Sequence, residues 1–446
     1  MSEPRADITT AVTIVGLGPG DAARQTIGAR ETLDTAARIF VRCHPDLDLG
    51  DLLARENVTD IAALRQPDAA PGGRWDAATQ AVCDAAAHGP VVLAIPGHPR
   101  FGEGLVVGTL AEAARRGLTT RVLDGISVVD LMATALGVDP LLEGVQCFTG
   151  RLLIEEAPDG PFAGGIFTGS PRRPMLFTHV YDATVMSSVV RALSRVLPPD
   201  HPVTRIEAAG MAGERISQHT VGALAGVPAG PLVALWVPPQ GELEAVRDPR
   251  TLQHIVARLR APEGCPWDRK QTHATLRDST LDEAYEVVDA IDAGDDANLA
   301  EELGDLFLLI AMHAQLAEEA GAFTLEDVYA GIATKIVRRH PHVFGDEEAR
   351  GAGQVVGLWN RIKQEEKAAN PDRPEKAADG QPHSMPALVR APRVLAKHPV
   401  DVDSAASAEE RSRALLDAVA AVVHAGDDPE RVLREALAAH VMNQTP

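Results

Sequence analysis

Residues 276–310 read LRDSTLDEAYEVVDAIDAGDDANLAEELGDLFLLI, and this stretch predicts two amphipathic helices joined by a short polar break. Apolar residues recur at helical spacing on both sides of the break AGDDA. A connection this short reverses the chain direction, so we expect the two helices to pack as an antiparallel hairpin. Further helices are predicted over TLQHIVARLR before the hairpin and TLEDVYAGIATKIVRR after it.

Each predicted helix of the hairpin carries a pair of acids three residues apart: Glu283 with Glu286, and Glu302 with Asp305. Residues at this spacing project from one helical face. Two facing pairs of carboxylates can enclose a hard cation, and a site with oxygen ligands favours Mg²⁺ or Mn²⁺ over zinc. The alternative is that these acids form a solvated helix face and that their spacing is incidental.

A cationic segment follows the acids. TKIVRRHPHVFG contains Lys335, Arg338 and Arg339, and LWNRIKQEEK contains Trp359 and Lys363. Cleavage of a phosphoanhydride needs a metal to polarise phosphoryl oxygens and cations to hold the remaining charge. The order of acids and bases therefore indicates phosphoanhydride hydrolysis, with a solvated basic helix end as the alternative for the cationic run.

The first 240 residues have a different pattern, in which short β-rich runs alternate with Ala-rich helical stretches. This alternation predicts an α/β layer architecture. Ligand crevices in open α/β sheets lie at the carboxyl ends of strands, so we expect a ligand site in this region. The predicted strands are AVTIVGLG, ARIFVRC, PVVLAIPG, TRVLDG, PMLFTHV, VTRIEAAG and PLVALWVP.

Three loops after these predicted strands contain candidate cofactor residues. The spacing of their glycines does not match the dinucleotide-binding GxGxxG motif, so a nicotinamide cofactor is not expected. Glycines directly after a strand allow close backbone approach to a ligand, or else a tight turn. The candidates are Gly16, Gly18 and Gly20 in VTIVGLGPGD, Gly97 and His98 in AIPGHPRFGEG, and Gly125 and Ser127 in LDGISVVD.

Changes in composition predict the domain boundaries. The turn PPQGE ends the α/β region, which gives a first domain over 1–240 and a helical domain over 241–370. Residues 371–384 are rich in Pro, Lys, Asp and Gly, which is typical of a linker. Helical periodicity returns over 385–446.

Overall composition narrows the classes of partner. The chain has 446 residues, which predicts two to four domains, and 42 Lys plus Arg against 63 Asp plus Glu give a net charge of −21. Such a charge repels phosphate backbones and anionic lipid, so duplex nucleic acid and membrane are not expected as partners. No signal-peptide pattern opens the sequence, and its 4 cysteines are widely spaced. We therefore expect a cytoplasmic protein with reduced thiols.

The helical region resembles the MazG family of nucleoside triphosphate pyrophosphohydrolases over about residues 250–367, through EGCPWDRKQTHATLRDSTLDEAYEVVDAID, EELGDLF, KIVRRHPHVF and WNRIKQEEK. The resemblance implies Mg²⁺-dependent hydrolysis of nucleoside triphosphates to the monophosphate and pyrophosphate, by a homo-oligomer, a dimer or higher. The resemblance implies that the metal ligands are the catalytic carboxylates Glu283, Glu286, Glu302 and Asp305. It implies that the positively charged catalytic residues, which neutralise developing charge, are Lys335, Arg339 and Lys363. The implied substrate contacts are Arg338, Trp359 and Lys363.

The first 240 residues resemble the tetrapyrrole (corrin/porphyrin) methylases, a two-lobed α/β fold that binds S-adenosylmethionine. The three loops carry this resemblance, with one departure: the family usually has GDP where this chain has Gly97, His98 and Pro99. The order of the two domains resembles known bacterial fusion proteins. Two alternatives to the hydrolase remain: a methyltransferase with a regulatory helical domain, and a noncatalytic sensor of nucleotide or S-adenosylmethionine.

Two further expectations concern the C-terminal segment and the side chains of Trp267 and His98. Residues 385–446 are interpreted as a degenerate, noncatalytic second MazG-like segment, because alignment places Glu410 opposite Glu302 and Arg413 opposite Asp305. For Trp267 in GCPWD and for His98, a packing role is expected before a ligand contact or a catalytic role.

Overall fold

The computed structural model describes residues 10–19, 22–43, 47–66, 75–150, 167–369, 382, 384–399 and 407–444. Its chain divides into two compact units, Met1–Ala322 and Phe323–Pro446. Gly20 lies outside the described residues, and so does most of the predicted linker.

The first unit opens with a parallel five-stranded sheet, which we call lobe 1. Its strands are β1 (Val12–Gly16), β2 (Ile39–Val41), β3 (Val58–Asp60), β4 (Val91–Ile95) and β5 (Thr120–Leu123), in the spatial order β3-β2-β4-β1-β5. Helices α1 (Ile27–Thr35), α2 (Asp76–Ala86) and α3 (Gly104–Arg115) connect them. Because the side chains of β1 alternate between two buried clusters, Val12 with Ile14 and Val15 with Leu17, both faces of the sheet are covered.

A second five-stranded sheet forms lobe 2. It contains β6 (Gln146–Thr149), β7 (Met175–Thr178), β8 (Pro202–Glu207), β9 (Arg215–Thr220) and β10 (Val233–Val237), in the order β6-β7-β10-β8-β9. Strands β6 and β7 are parallel, and the other pairs are antiparallel. Helix α4 (Val128–Leu136) packs Leu131 and Met132 on one face of this sheet, and α5 (Ala183–Val196) packs Val185 and Val189 on the other.

Three helices complete the first unit: α6 (Pro249–Arg260), α7 (Arg277–Ala293) and α8 (Asp296–Glu319). Gly294 ends α7 in the left-handed conformation with φ 65°, and the side chain of Asp295 accepts hydrogen bonds from the backbone N–H groups of Ala297 and Asn298 at the start of α8. Two residues thus reverse the chain, and the predicted helical hairpin is confirmed.

The second unit is helical throughout its described part. Its helices are α9 (Leu325–Arg339), α10 (Pro341–Phe344), α11 (Ala352–Ala369), α12 (Ala387–Leu395), α13 (Ala408–His424) and α14 (Pro429–Gln444). Helix α9 contacts α11, while α12 and α14 share a small core that includes Ala387, Val394 and Leu437.

The predicted fold class is confirmed: a two-lobed α/β region precedes a helical region. All seven predicted strands exist, whereas β3, β6 and β9 were not predicted. No residue of β3 or β9 is buried, so these edge strands have no apolar run that would predict them. The four cysteines are free. In the described part of the chain, no helix is long and apolar enough to cross a membrane.

Candidate functional site

The hairpin of α7 and α8 brings three predicted metal ligands together. One carboxylate oxygen from each of Glu283, Glu302 and Asp305 lies within 4.8 Å of the other two. Glu283 and Glu302 are half-buried, whereas Asp305 is exposed. Three oxygen donors at this separation, with one side open to solvent, suit a hard divalent cation that retains water ligands.

Glu286, the fourth predicted ligand, is exposed. Partial burial raises the pKa of Glu302, and the negative charge of Glu286 and hydrogen bonding with it add to the rise. Burial raises the pKa of Glu283 as well, with further contributions from Glu286, Asp305 and Asp282. Because the acids repel one another, the cluster favours either a proton or a cation among them.

The loop before α7 is held by an arginine. Arg260 of α6 forms an ion pair with Glu319 of α8, with both N–O distances 2.7 Å, and its Nη1 donates to the backbone oxygen of Asp268 at 2.5 Å. The expected packing role of Trp267 is wrong, because its side chain is 66% exposed. The guanidinium satisfies the carbonyls of the turn, so the loop does not need the indole as an anchor.

In the second unit, Trp359 lies among the predicted basic residues. The guanidinium of Arg339 is 4.9 Å from the centre of its ring, and Nζ of Lys363 is 5.1 Å from the same ring. Arg339 also forms two hydrogen bonds with Glu366, at 3.1 and 2.5 Å, and Arg338 lies 2.6 Å from the same carboxylate. These arginines lower the pKa of Glu366 to about 2.

The two lysines differ from the two arginines. Among the described residues, Lys335 has no hydrogen-bond or ion-pair partner, and Lys363 has only the ring of Trp359. Their ammonium groups are therefore available to a phosphate, while the charges of Arg338 and Arg339 are largely balanced by Glu366.

The predicted cofactor glycines that the structure describes, Gly16, Gly18, Gly97 and Gly125, pack against one another. Gly18 and Gly97 form a β-bridge, with N–O distances of 3.2 and 2.9 Å. A Cβ on Gly16 would lie 2.7 Å from Cα of Gly125 and 2.8 Å from the backbone oxygen of Gly97. The close approach of the three loops therefore requires glycine at position 16, independently of any ligand.

His98 and Ser127 have local structural roles. Nδ1 of His98 accepts a hydrogen bond from the backbone N–H of Arg100 at 3.0 Å, so the neutral ring carries its proton on Nε2, which lies 3.5 Å from the carboxylate of Asp124. Both ring nitrogens thus have a partner in the protein, and this supports the expected packing role of His98. Ser127 is the N-cap of α4 and forms a capping box with Asp130.

A cavity of about 170 Å³ lies between the two lobes. Pro19, Pro96 and Val128, which line it, each adjoin a predicted cofactor residue: Gly18, Gly97 and Ser127. It continues into an open cleft of about 550 Å³, since Ala208, Met211, Pro231 and Leu232 line both.

The cavity also contains three ionisable residues that the sequence-based analysis missed: Arg42, Glu103 and His179. Arg42 follows β2 directly, His179 follows β7 directly, and Glu103 is the N-cap residue of α3. A polar residue at the carboxyl end of a buried strand is the signal that could have identified the first two. Glu103 has no comparable signal, because the fold alone brings it beside Arg42.

In the C-terminal segment, Glu410 forms a capping box with Ser407 at the start of α13, and Arg413 lies 3.9 Å from Asp417. Hydrogen bonds with Ser407 lower the pKa of Glu410. Glu410 and Arg413 therefore both interact with residues of their own helix or its N-cap.

Comparison with protein families gives two matches. Residues 11–225 match the tetrapyrrole (corrin/porphyrin) methylases, and residues 271–344 match the MazG nucleotide pyrophosphohydrolase domain. The chain therefore contains a methylase domain that precedes a MazG domain. It belongs to the family of such fusion proteins that includes YabN of Bacillus subtilis, with which it is 33% identical over 385 residues, 85% of this chain and 75% of YabN.

The MazG part has further relatives. The nucleoside triphosphate pyrophosphohydrolase of Escherichia coli K12 is 47% identical over 141 residues, which are 31% of this chain and about half (53%) of that protein. The nucleoside triphosphate pyrophosphohydrolase/pyrophosphatase MazG of Thermotoga maritima is 49% identical over 116 residues, 26% of this chain and 44% of its own. Among solved structures, the cobalt precorrin-4 methyltransferase CbiF matches with a TM-score of 0.39 and 17% identity, over 51% of this chain and 94% of its own.

Proposed function

We propose that this protein hydrolyses nucleoside triphosphates to the nucleoside monophosphate and pyrophosphate, using Mg²⁺ held on the hairpin of α7 and α8. The observation that carries the proposal is the cluster of Glu283, Glu302 and Asp305, whose carboxylate oxygens lie within 4.8 Å of one another. An all-oxygen donor set fits Mg²⁺ or Mn²⁺. A cation there would also relieve the repulsion that raises the pKa values of Glu283 and Glu302.

Each residue then has a defined task. Bound Mg²⁺ would polarise the phosphoryl oxygens and favour attack by water. Glu283, Glu302 and Asp305 would hold the ion, with Glu286 beside Glu302 as the fourth carboxylate of the predicted set. Lys335 and Lys363 would neutralise phosphate charge, and Trp359 with Arg339 and Arg338 would contact the rest of the substrate. The relatives from Escherichia coli and Thermotoga maritima are named as nucleoside triphosphate pyrophosphohydrolases, which supports the proposed reaction.

The experiment that tests this function identifies the products. Purified protein is incubated with each common nucleoside triphosphate, with and without Mg²⁺, and nucleotides, pyrophosphate and phosphate are quantified separately. We expect monophosphate and pyrophosphate in equal amounts, and no reaction without metal. Glu302→Ala should lose turnover. The control is Glu301→Ala, which removes an exposed carboxylate at the adjacent position and should keep turnover. Release of phosphate with a nucleoside diphosphate, or full activity of Glu302→Ala, would contradict the proposal.

We propose S-adenosylmethionine as the ligand of the methylase domain. Support comes from the cavity between the lobes, which is lined by the neighbours of Gly18, Gly97 and Ser127. Calorimetric titration with S-adenosylhomocysteine should show one site per chain. No heat of binding at millimolar ligand would contradict this part of the proposal and would leave the hydrolase untouched.

We also propose that the protein is a homo-oligomer, a dimer or higher, of the cytoplasm. Leu281, Tyr285, Val288 and Ile291 leave an apolar stripe exposed on α7, which supports association. The free state of all four cysteines supports a reducing compartment. Light scattering coupled to size-exclusion chromatography should give at least twice the mass of the chain.

A further inference from the structure

Two histidines outside the metal cluster pair with each other beside the helical hairpin: His273 in the loop before α7 and His313 on α8. Their Nδ1 atoms lie 2.8 Å apart. Because the ring planes are 5° apart and the ring centres are 5.1 Å apart, the two rings meet edge to edge in one plane. A metal ion between two facing nitrogens needs about 2.0 Å to each, which this spacing does not offer, whereas one hydrogen atom fits. The contact is therefore an N–H···N hydrogen bond.

The direction of this bond follows from Thr280 on α7. Oγ1 of Thr280 donates its hydrogen to the backbone oxygen of Leu276 at 2.8 Å. The same oxygen lies 3.2 Å from Nε2 of His313, so it accepts from Nε2–H. Nδ1 of neutral His313 thus keeps its lone pair and accepts from Nδ1–H of His273. Burial and the charge of His273 lower the pKa of His313, so His313 remains the acceptor at pH 7.

His273 is left with a fixed acceptor that faces outward. Its neutral ring carries the proton on Nδ1, so Nε2 keeps a lone pair. In the described ranges of the chain, this Nε2 has no hydrogen-bond or ion-pair partner. The residue is exposed, so a ligand can reach the lone pair. Because His313 already holds the ring in one orientation, little side-chain freedom is lost when a ligand binds there.

The backbone around His273 is held as well. The N–H of Thr272 donates to Oγ1 of Thr275 at 2.9 Å, and the N–H of Thr275 donates to Oγ1 of Thr272 at 3.2 Å. Leu276, which follows this turn, is 3% exposed and packs in a core with Met312 of α8. A polar group that a constrained backbone presents to solvent is suited to binding, since its position is set before the ligand arrives.

The histidine pair lies on the same hairpin as the metal cluster, further from its turn. Thr280 precedes Glu283 by three residues on α7. His313 follows Asp305 by eight residues on α8, roughly 12 Å along the helix. The sugar and base of a nucleotide whose phosphates are bound at the cluster can span this distance. A neutral lone pair does not attract phosphate oxygens, which are acceptors themselves, but it suits the O–H and N–H donors of a nucleoside.

We propose that Nε2 of His273 accepts a hydrogen bond from the nucleoside part of the triphosphate, so that His273 is a specificity-determining residue of the hydrolase and His313 its positioning residue. This inference rests on the proposed function. The donor is a ribose hydroxyl or an N–H group of the base, since either supplies the hydrogen that Nε2 lacks. A substrate without that donor covers Nε2 and leaves it unpaired, and is therefore hydrolysed less efficiently.

The test compares kcat/KM of the full chain with Mg²⁺ at pH 8, where imidazole is neutral. The substrates are ATP, 2′-deoxyATP, 3′-deoxyATP and purine riboside triphosphate, which lacks the 6-amino group. If another common nucleoside triphosphate reacts faster than ATP, its own analogues without the 2′-hydroxyl, the 3′-hydroxyl or the base N–H are used. We expect one analogue to react about tenfold more slowly or worse, and the group that it lacks identifies the donor.

His273→Phe keeps a planar ring and removes the acceptor. It should lower kcat/KM of the parent substrate to that of the disfavoured analogue and leave the analogue itself unchanged. His273→Ala, which adds no bulk, is a second variant with the same expectation, and His88→Phe on another exposed surface is the control that should keep full discrimination. His313→Phe frees the ring of His273 and should reduce the discrimination, while Mn²⁺ affinity at the cluster stays that of the unmodified protein.

Two results would overturn this inference and leave the proposed hydrolase intact. One is equal kcat/KM for the parent substrate and all of its analogues on the unmodified protein. The other is discrimination that persists in His273→Phe or His273→Ala. Absence of turnover with every nucleoside triphosphate would overturn the proposed function, and this inference with it.

Discussion

Glu286 on α7 lies beside Glu302 on α8 across the helical hairpin, where its negative charge and hydrogen bonding add to the effect of partial burial and raise the pKa of Glu302. A carboxyl group with a raised pKa keeps its proton to a higher pH than an ordinary glutamate does. Because a metal ligand must be deprotonated, metal binding and proton release are linked at the hairpin. This linkage gives the candidate metal centre properties that can be measured without a substrate.

Glu302→Gln should weaken metal binding by 100-fold or more, because it removes one of three clustered oxygen ligands and its charge. Mn²⁺ affinity is measured by electron paramagnetic resonance of the free ion. Glu301→Gln is the matched control, one residue away and exposed, and should bind Mn²⁺ as the unmodified protein does. Equal loss in both variants would show that the metal responds to overall negative charge and not to this cluster.

Metal affinity should decline as the pH falls, starting above the usual range for glutamate. The pKa values of Glu283 and Glu302 are raised, so these groups take up protons at a higher pH than ordinary carboxylates, and a protonated ligand does not bind the ion. Glu286→Gln removes a negative charge that contributes to the raised pKa of Glu302. The acid limb of Mn²⁺ binding should therefore move to lower pH, whereas Asp289→Asn should not move it.

Glu366→Gln should lower the melting temperature at pH 7 by a few degrees, because Arg339 and Arg338 lose their shared carboxylate. The folded pKa of Glu366 is lowered to about 2, so its stabilisation is present above the unfolded value and is lost as the pH falls through the folded one. Calorimetry at several pH values should show the difference shrink between about pH 4.5 and pH 2. The exposed Glu365→Gln variant should match the unmodified protein throughout. A constant difference would exclude the ion pair as its cause.

Gly16→Ala should destabilise the methylase domain by about 1–3 kcal/mol, the usual cost of overpacking. The added methyl group would lie 2.7 Å from Cα of Gly125 and would separate the three glycine loops. Gly28→Ala is the control: nothing lies within 4 Å of its Cβ position, and alanine favours the helix there. Chemical denaturation should place the two variants on opposite sides of the unmodified protein, and a neutral Gly16→Ala would contradict the close contact of the loops.

The sequence predicted most strands of the two lobes because short apolar runs mark strands whose side chains are buried. It did not predict the edge strands β3 and β9, in which no residue is buried. It predicted the acids of the hairpin, because spacing along a helix fixes which residues share a face. It wrongly placed Trp267 in the core, since the partner of that loop is Arg260, and composition cannot reveal which side chain satisfies a turn.

Sequence by itself determined the order of the domains, the helical hairpin and the residues that offer oxygen ligands, since each depends on periodicity and spacing along the chain. Only the tertiary structure decided that Glu283, Glu302 and Asp305 cluster, and that Arg42, Glu103 and His179 meet in one cavity. These three residues come from two strand ends and a helix cap that are far apart in sequence. Their proximity results from sheet topology and from the packing of one lobe on the other, which local patterns do not encode.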